Sequence, residues 1–294
     1  MSITLHFTKM QGAGNDFVML NGIDQRIDLD KAQWRWLADR RFGIGADQML
    51  LVEAPQSDEV DFNYRIFNAD GGEVEHCGNG ARCFAVFVHD EGLTKKNEIR
   101  VQIQPGILIL KRMVDGQVTV DMGPPKFGPG AVAFDASELR TSVVGKLELW
   151  QLATNMGDAQ LALVSMGNPH AVQIVSDVQT APVLTQGPLI EKHPRFAHGV
   201  NVGYLQLIDR RQAKIRVFER GSGETLACGT GICAAATAAM AQGLADSPLQ
   251  VSATGGDLTI AWNFQGPLGL AAPVMMTGPA TRVFSGTVDV PDFE

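Results

Sequence analysis

Short runs in which hydrophobic and polar residues alternate recur through the first 70 residues. Such alternation, bounded by Gly, Asn and Asp, is typical of β-strands. It predicts strands in ITLHFTKM (3–10), DFVMLNG (16–22), DQMLLVEA (47–54) and DFNYRIFN (61–68). Residues 28–42 instead carry apolar positions at helical spacing after an Asp that can cap a helix, and so predict a helix.

A second helix is predicted directly after Cys77, with its end at Gly92. A meander of three strands follows in IRVQIQ, ILILKRM and QVTVDMG. Turn dipeptides separate these strands at Pro105-Gly106 and Asp115-Gly116.

The second half of the chain has the same order of elements. Strands are predicted in NPHAVQIV, NVGYLQLI and KIRVFERG, and a helix in APVLTQGPLIEKH. The helix GTGICAAATAAMAQG then ends at Gly243, and strands follow in PLQVSA, DLTIAWNF and AAPVMMTG. Each half therefore has the order strand, helix, two strands, cysteine-bearing helix and meander.

The repetition extends to individual residues. Residues 65–80, RIFNADGGEVEHCGNG, align without a gap with residues 216–231, RVFERGSGETLACGTG, and seven of the sixteen positions are identical. The identical pairs are Arg65/Arg216, Phe67/Phe218, Gly72/Gly223, Glu73/Glu224, Cys77/Cys228, Gly78/Gly229 and Gly80/Gly231. GNDFV (14–18) also has a loose counterpart in GNPHAV (167–172). Because the match recurs at half the chain length, we predict two homologous α+β domains facing each other across a shared cleft.

Composition and charge exclude several classes of protein. The 294 residues are 45% hydrophobic and 19% charged, which is typical of a globular protein, and the length favours two domains. A net charge of −8 without a cluster of Lys and Arg argues against a nucleic-acid partner. The first residues lack the features of a signal peptide, and the longest apolar runs are too short to span a bilayer. We therefore expect a soluble cytoplasmic protein with reduced cysteines.

Each repeat places a cysteine directly before Gly-x-Gly at the start of a helix. The glycines let the backbone approach a ligand closely, and a helix start favours an anion such as a substrate carboxylate. The same field is expected to lower the pKa of a thiol. Cys77 and Cys228 are therefore candidate acid and base groups. Cys83 and Cys233 fall inside the helices and are predicted to be small buried hydrophobic residues.

Two similar domains with one thiol each suit a reaction that inverts a stereocentre. Such a reaction removes a proton from one face of a carbon and returns a proton to the other, so it needs one ionised and one protonated group. The helix starts would stabilise the charge that develops as the proton leaves. No lysine lies in a motif typical of a pyridoxal phosphate enzyme, and no Gly-Lys-Ser/Thr motif indicates a nucleotide.

Other interpretations of the cysteines remain open at this point. A structural disulfide is possible, although a cytosolic chain of this length seldom needs one. The Cys-x5-Cys and Cys-x4-Cys spacings do not match the tight knuckles of zinc sites, although His76 and His170 lie nearby as possible ligands. GTGICA (229–234) resembles a dinucleotide fingerprint, but no strand runs directly into Gly229. A thiol redox enzyme is a further alternative.

Six sequence blocks, in order, resemble the diaminopimelate epimerase family over essentially the whole chain. They are KMQGAGNDFV (9–18), GIGADQ (43–48), IFNADGGEVEHCGNGARC (66–83), MGNPHAV (166–172), GVNV (199–202) and ERGSGETLACGTG (219–231). The resemblance implies an isomerase that interconverts L,L- and meso-2,6-diaminopimelate in lysine and cell-wall precursor biosynthesis. It implies no cofactor, no pyridoxal phosphate and no metal, with Cys77 and Cys228 as the catalytic acid/base pair.

The resemblance also implies a fold and its domain boundaries. We expect an α+β protein of two pseudo-symmetric domains, each a mixed or antiparallel sheet wrapped around a central helix. The first domain would comprise residues 1–121 and 279–294 and carry Cys77. The second would comprise residues 122–278 and carry Cys228. The last strand would thus return to complete the first domain.

Substrate contacts and further catalytic residues follow from the same resemblance. The implied substrate contacts are Asn15, Gln48, Asn68, Gly78, Asn79, Asn168, Asn201, Glu219, Arg220, Gly229 and Thr230. His170 and Glu219 match positions that influence catalysis in the family. The chemistry is suitable, because Arg220 can hold a carboxylate through two hydrogen bonds and asparagines supply donors and acceptors together.

The family is expected to form homodimers. Phe284 in GPATRVFSG (278–286) stands where many members carry a tyrosine associated with the dimer interface. Any hydrogen bond from that hydroxyl is therefore missing in this chain.

Three rivals can be compared with this interpretation. The proline racemase group shares the fold, but GNDF and ERGSGET favour diaminopimelate, whose second amino-acid head needs additional polar contacts. Phenazine-biosynthesis isomerases resemble the fold without the paired cysteines. A non-catalytic amino-acid-binding protein would have no use for two opposed thiols.

Overall fold

The chain folds into strands and few helices, which we number in chain order. The computed structural model describes residues 3–74, 78–104 and 106–293. Its first part contains β1 (Ile3–Gly12), β2 (Asn15–Asn21), α1 (Lys31–Ala38), β3 (Gln48–Glu53), β4 (Phe62–Asn68), β5 (Glu73–Val74), α2 (Gly78–Asp90), β6 (Glu98–Ile103), β7 (Gly106–Arg112) and β8 (Val118–Asp121).

The remaining elements belong to the second part of the chain. They are β9 (Lys126–Phe127), β10 (Thr141–Val144), β11 (Leu147–Thr154), β12 (Gly157–Ser165), β13 (Pro169–Ile174), α3 (Val183–Glu191), β14 (Asn201–Leu207), β15 (Gln212–Glu219), β16 (Gly223–Thr225), α4 (Gly229–Ala241), β17 (Leu249–Ala253), β18 (Gly256–Trp262), β19 (Val274–Gly278) and β20 (Thr281–Val290). Short 3-10 helices cover Pro129–Val132 and Gly269–Ala271.

The chain divides into two compact units. The first comprises Met1–Val120 and Gly278–Glu294, and the second comprises Asp121–Thr277. The first unit includes β20, which pairs with β1 in antiparallel fashion. The carboxy-terminal strand therefore belongs to the same sheet as the first strand of the chain.

The two units have the same sheet topology. In the first unit the strand order is β20-β1-β2-β3-β4-β6-β7-β8. In the second it is β11-β12-β13-β14-β15-β17-β18-β19. In each series, neighbouring strands are antiparallel except at the third and fifth pairings, which are parallel. A short strand, β5 in the first unit and β16 in the second, forms an antiparallel hairpin with the fifth strand of its series. The internal duplication predicted from the sequence is confirmed.

A buried helix lies at the centre of each unit. Helix α2 contacts β1, β2, β3, β7 and β20, and α4 contacts β12, β13, β14, β17 and β18. Strands from across each sheet thus meet one helix, so each sheet wraps around it, as predicted. Helix α4 consists mainly of alanine and is apolar on every side, which suits a fully enclosed helix. No helix in the described part of the chain is long and apolar enough to cross a membrane.

Helix α1 is shorter than predicted. It begins at Lys31 after Asp30, whose side chain accepts a hydrogen bond from the N–H of Gln33 in a capping box. It ends at Ala38 because Asp39 adopts an extended conformation and its carboxylate accepts the N–H groups of Arg41 and Phe42. The predicted helical segment 28–42 therefore ends in a loop that leads to β3.

Candidate functional site

Five predicted substrate contacts of the first unit lie at one end of its sheet. Asn15 begins β2, Gln48 begins β3 and Asn68 ends β4. Because β2 runs parallel to β3 and β4 runs antiparallel to it, these three positions share one edge, and Gln48 lies directly opposite Asn68. Gly78 and Asn79 form the first turn of α2.

Hydrogen bonds connect these side chains in two groups. Gln48 Nε2 donates to Asn68 Oδ1 at 2.8 Å. Asn79 Nδ2 donates to Asn15 Oδ1 at 3.5 Å and so joins the start of α2 to the start of β2. The structure therefore brings together the polar residues that the sequence places far apart in the first half of the chain.

Cys77, with the neighbouring His76, lies outside the residues that the structure describes. Its role as one of the two catalytic thiols stays a prediction. Its counterpart in the repeat, Cys228, is described in full.

The second unit presents equivalent residues at the equivalent end of its sheet. His170 lies opposite Asn201, as Phe17 lies opposite Gln48, and Glu219 ends β15 as Asn68 ends β4. The matching registers make the following positions equivalent: Asn15 and Asn168, Gln48 and Asn201, Asn68 and Glu219, Gly78 and Gly229, and Asn79 and Thr230.

A chain of polar contacts leads from His170 to the thiol of Cys228. His170 Nε2 lies 2.9 Å from Asn168 Oδ1, and Asn168 Nδ2 donates to Thr230 Oγ1 at 3.2 Å. Thr230 Oγ1 lies 3.6 Å from Cys228 Sγ. The asparagine and the threonine that the family resemblance assigns to the substrate therefore also connect the histidine to the predicted catalytic cysteine.

His170 is neutral at physiological pH. Its side chain is only 1% exposed, and this burial, with a smaller contribution from the charge of Arg220, lowers the pKa of His170 to about 3. A neutral imidazole can orient Asn168, but with this pKa it does not accept a proton near pH 7. Among the residues described, no three His, Cys, Asp or Glu side chains come together in a way that could hold a metal ion.

Cys228 is the N-cap residue of α4, and its side chain is 5% exposed. Burial raises the pKa of the Cys228 thiol well above its ordinary value, and the charge and hydrogen bonding of Glu219 raise the pKa further. Thr230 and the N–H of Gly231 act in the opposite direction but do not outweigh them. The prediction that the helix start lowers the thiol pKa is therefore wrong for Cys228. The thiol is protonated at neutral pH, which is the form of a general acid.

Position 231, in the first turn of α4, has little room for a side chain. A Cβ at this position would lie 3.3 Å from Cys228 Sγ and 3.3 Å from Val217 Cγ1. A side chain there would require Cys228 or Val217 to shift by a few tenths of an ångström. Cys83 and Cys233, further along the two central helices, are fully buried, as predicted.

Glu219 and its neighbours hold the loop before Cys228. The Thr225 hydroxyl donates to Glu219 Oε1. Asn201 Oδ1 accepts the N–H of Arg220 at 2.9 Å, and Asn201 Nδ2 donates to the carbonyl of Pro169 at 3.0 Å. The Arg220 guanidinium is exposed and donates to the carbonyl of His198 at 2.9 Å. Asn201 thus holds the backbone at Arg220 through hydrogen bonds, whereas the Arg220 side chain is exposed to solvent.

Twin ion pairs account for two of the repeated identities. Arg65 Nε and Nη2 donate to the two carboxylate oxygens of Glu73, each at 2.8 Å. Arg216 makes the same fork with Glu224, at 2.6 and 2.9 Å. Each pair joins the two strands of the hairpin that precedes a predicted catalytic cysteine, and this geometry requires the arginine fork.

Two residues of the site, Arg82 and Asp47, were not identified from the sequence. Arg82 is fully buried in α2 and donates from Nη2 to Asn79 Oδ1 at 2.8 Å. Asp47 Oδ2 accepts from Asn15 Nδ2 at 2.9 Å. Both residues lie inside sequence blocks that resemble the family, Asp47 in 43–48 and Arg82 in 66–83. An arginine in the apolar run ARCFAVFV was the available signal, since a buried arginine needs partners.

The duplicated fold defines a class of two-unit α+β proteins that includes solved epimerase and isomerase structures. A hydroxyproline epimerase from Agrobacterium vitis has a TM-score of 0.69 at 15% identity, covering 98% of this chain and 93% of that one. A PhzF-family phenazine biosynthesis protein from Bacillus anthracis has a TM-score of 0.67 at 15% identity, covering 97% and 99%. Likeness at this identity concerns the fold alone.

Sequence comparison is more specific. The family model for diaminopimelate epimerase matches residues 7–128 and 162–283, one stretch in each half. The diaminopimelate epimerase of Cupriavidus metallidurans is 57% identical over 286 residues, covering 97% of this chain and 98% of the relative. That of Burkholderia ambifaria is 55% identical over 287 residues, covering 97% and 99%. The chain belongs to the diaminopimelate epimerase family, which confirms the resemblance drawn from the sequence.

Proposed function

We propose that this protein interconverts L,L- and meso-2,6-diaminopimelate by proton transfer between two thiols, those of Cys77 and Cys228. The observation that carries the proposal is the burial and protonation of the Cys228 thiol. It is a buried, protonated thiol at the start of a central helix, beside Glu219 and Thr230. A protonated thiol in that position suits the acid of a two-base inversion.

In the proposed reaction, the thiolate of Cys77 removes the α-proton from one face of the substrate. Cys228 donates its thiol proton to the other face, so the carbon is inverted and the ionised thiol is now Cys228. The reverse reaction exchanges the two roles. The negative charge on the substrate carboxylate in the transition state is stabilised by backbone N–H groups at the helix starts, including those of Gly229 and Thr230.

Glu219 and His170 support Cys228 in this scheme. The Glu219 carboxylate raises the pKa of the thiol and so keeps it protonated until a substrate is bound. Neutral His170 holds Asn168, which in turn bonds Thr230 beside the sulfur. We assign the remaining polar residues at the ends of the two sheets to the amino-acid heads of the substrate.

We also propose a cytoplasmic homodimer that needs no cofactor. Exposed apolar side chains on β20 support the dimer, because Val283 and Phe284 on this strand are 56% and 49% exposed. Phe284 packs its ring edge-to-face against Phe7 of β1 at 5.8 Å between ring centroids. In this chain the contact made by position 284 would be apolar, without the hydroxyl of a tyrosine.

Incubation of the purified protein with L,L-diaminopimelate in deuterated water tests the proposal. We expect meso product that carries deuterium at the inverted carbon. Inversion without solvent deuterium would contradict proton transfer through exchangeable thiols. The same incubation with L-proline tests the proline racemase alternative, for which we expect no inversion.

Arg220→Ala is expected to weaken substrate binding with little effect on the thiols. The guanidinium supplies a charged hydrogen bond to a substrate carboxylate, and the loss of such a bond costs about 1.5–3 kcal/mol, roughly 10- to 150-fold in KM. We expect a smaller rise in KM for Asn168→Ala. Steady-state kinetics and the alkylation rate of Cys228 check both variants.

Arg220→Lys serves as the matched control, because it keeps the charge but loses the planar fork. We expect its KM to lie between those of the parent protein and Arg220→Ala. A parent-like KM for Arg220→Ala would show that the carboxylate is bound elsewhere.

A further inference from the structure

A hydrogen-bond chain in the first unit runs from an exposed carboxylate to a buried guanidinium. Asn15 Nδ2 donates to Asp47 Oδ2 at 2.9 Å. Asn79 Nδ2 donates to Asn15 Oδ1 at 3.5 Å. Arg82 Nη2 donates to Asn79 Oδ1 at 2.8 Å. The two asparagines in the middle are proposed substrate contacts, and the two charged residues at the ends are not.

The charged ends determine the orientation of both amides. A carboxylate can only accept a hydrogen bond and a guanidinium can only donate one. Exchanging the oxygen and the nitrogen of Asn15 would place an oxygen against the Asp47 carboxylate. The same exchange in Asn79 would place a donor against Arg82. The chain therefore has a single direction, from Arg82 through both amides to Asp47.

At the equivalent positions of the second unit, the described partners of the amide are a neutral histidine, His170, and a hydroxyl, that of Thr230, rather than charged groups. Asn168 corresponds to Asn15 and Thr230 to Asn79, and Asn168 donates to the Thr230 hydroxyl. A hydroxyl both donates and accepts, so it does not dictate the orientation of its partner. The first unit presents an amide acceptor towards its helix start, whereas the second presents an amide donor.

Asp47 is itself held in place by a compact charge network. Arg40 Nη2 donates to Asp47 Oδ1 and to Asp16 Oδ1, both at 2.8 Å. The N–H of Asp16 donates to Asp47 Oδ2 at 3.2 Å, and the N–H of Asp47 donates to Asp16 Oδ1 at 2.9 Å. Lys9 Nζ donates to Asp16 Oδ2 at 2.6 Å. The Asp47 carboxylate thus has a fixed position beside Asn15.

Asp16 keeps its negative charge within this network. Burial alone would raise the pKa of Asp16, but hydrogen bonds from Arg40, from Lys9 and from the N–H of Asp47 hold it well below its usual range. The pKa of Arg40 is raised by its hydrogen bond to Asp16. Asp16 and Arg40 therefore stay ionised at every pH at which the enzyme would work.

We propose that Asp47, held by Arg40, is a positioning residue for substrate recognition, and that Arg82 is its partner at the other end of the chain. Together they set the amides of Asn15 and Asn79 in the single orientation that receives the amino-acid head of the substrate. This inference rests on the proposed function, which assigns both asparagines to the substrate.

The exposed end of the chain allows a test that does not disturb the core. Asp47→Ala, Asp47→Asn and Arg40→Ala are expected to raise KM for diaminopimelate about tenfold, the effect of one misplaced hydrogen bond, with kcat changed less than about twofold. The midpoint of thermal unfolding should fall only slightly. Arg40→Lys, which keeps one contact of the fork, should have an intermediate KM.

Arg210 and Asp246 provide a matched control pair. Arg210 Nη2 and Asp246 Oδ1 are 2.7 Å apart with side chains 58% and 42% exposed, against 2.8 Å, 59% and 47% for Arg40 and Asp47. Neither control residue contacts a proposed substrate residue in any hydrogen bond described. Arg210→Ala and Asp246→Asn should lower the unfolding midpoint by a similar amount and leave KM unchanged.

A double-mutant cycle separates positioning from a general structural effect. If Asp47 acts through Asn15, the variant with both Asn15→Ala and Asp47→Ala should have the same KM as Asn15→Ala alone. Additive effects would overturn the proposal, and so would a parent-like KM for Asp47→Ala and Arg40→Ala or an equal rise in KM for the control pair. If the unsubstituted protein fails to epimerise diaminopimelate, the proposed function fails instead.

Discussion

Replacing either Cys77 or Cys228 with alanine is expected to remove nearly all epimerase activity but to preserve isotope exchange with one stereoisomer. Inversion needs a base on one face of the carbon and an acid on the other, and each variant has lost one of them. The remaining thiolate still faces one side, and the helix-start N–H groups still stabilise the developing charge. Each variant should therefore wash isotope slowly from one isomer with retention of configuration.

The two variants should choose opposite isomers, because their remaining thiols lie on opposite faces of the carbon in the proposed mechanism. The double variant should neither invert nor exchange. Cys233→Ala is the matched control, since Cys233 is a fully buried cysteine of α4 that lies beyond the site. Inversion at a normal rate by either single variant, or exchange of the same isomer by both, would rule out the two-thiol mechanism.

Alternating strands and the repeated cysteine motif were predictable because each leaves a local pattern. β1 to β4 lie within two residues of their predicted bounds, and both central helices begin directly after the motif cysteine. The internal identities predicted the duplication, and the two matching strand orders agree with it. These features depend on residues close together in the sequence, or on a repeat that can be read directly.

Residues 141–165 had no predicted element and form three strands, β10 to β12. Strand β10 is exposed along most of its length, with Val143 72% exposed, so it shows no hydrophobic alternation. Strand β12 alternates at first and then becomes continuously buried from Leu161 to Ser165. β10 and the second half of β12 therefore lack the period-two pattern that predicts a strand.

The electrostatics of the site could not be predicted from the sequence. The position of Cys228 at a helix start suggested a lowered pKa, but the pKa depends on how deeply the sulfur is buried and on the distance to Glu219. The hydrogen bonds of Asn15 with Asp47 and with Asn79 likewise depend on the packing of the sheet and of α2. They join residues 32 and 64 positions apart in the sequence, and no local motif encodes them.

Glu219→Gln is expected to lower the pKa of the Cys228 thiol and to remove most of the epimerase activity. The Glu219 charge and hydrogen bond are the second and third causes of the raised pKa, after burial, so their loss moves the pKa down towards its ordinary value while burial keeps it raised. Cys228 should then ionise at lower pH and be less able to hold the proton that inversion delivers. Alkylation of Cys228 as a function of pH, in a Cys77→Ala background, measures the shift.

Thr225→Val is the matched control for Glu219→Gln. It removes the hydroxyl that donates to Glu219 Oε1 but leaves the carboxylate charge beside the sulfur. Because the charge is retained, the alkylation profile of Cys228 should stay close to that of the parent protein. A Glu219→Gln profile that did not move to lower pH would mean that burial alone holds the proton on Cys228. Glu219 would then serve only to bind the substrate, and its variant should show a raised KM with little change in kcat.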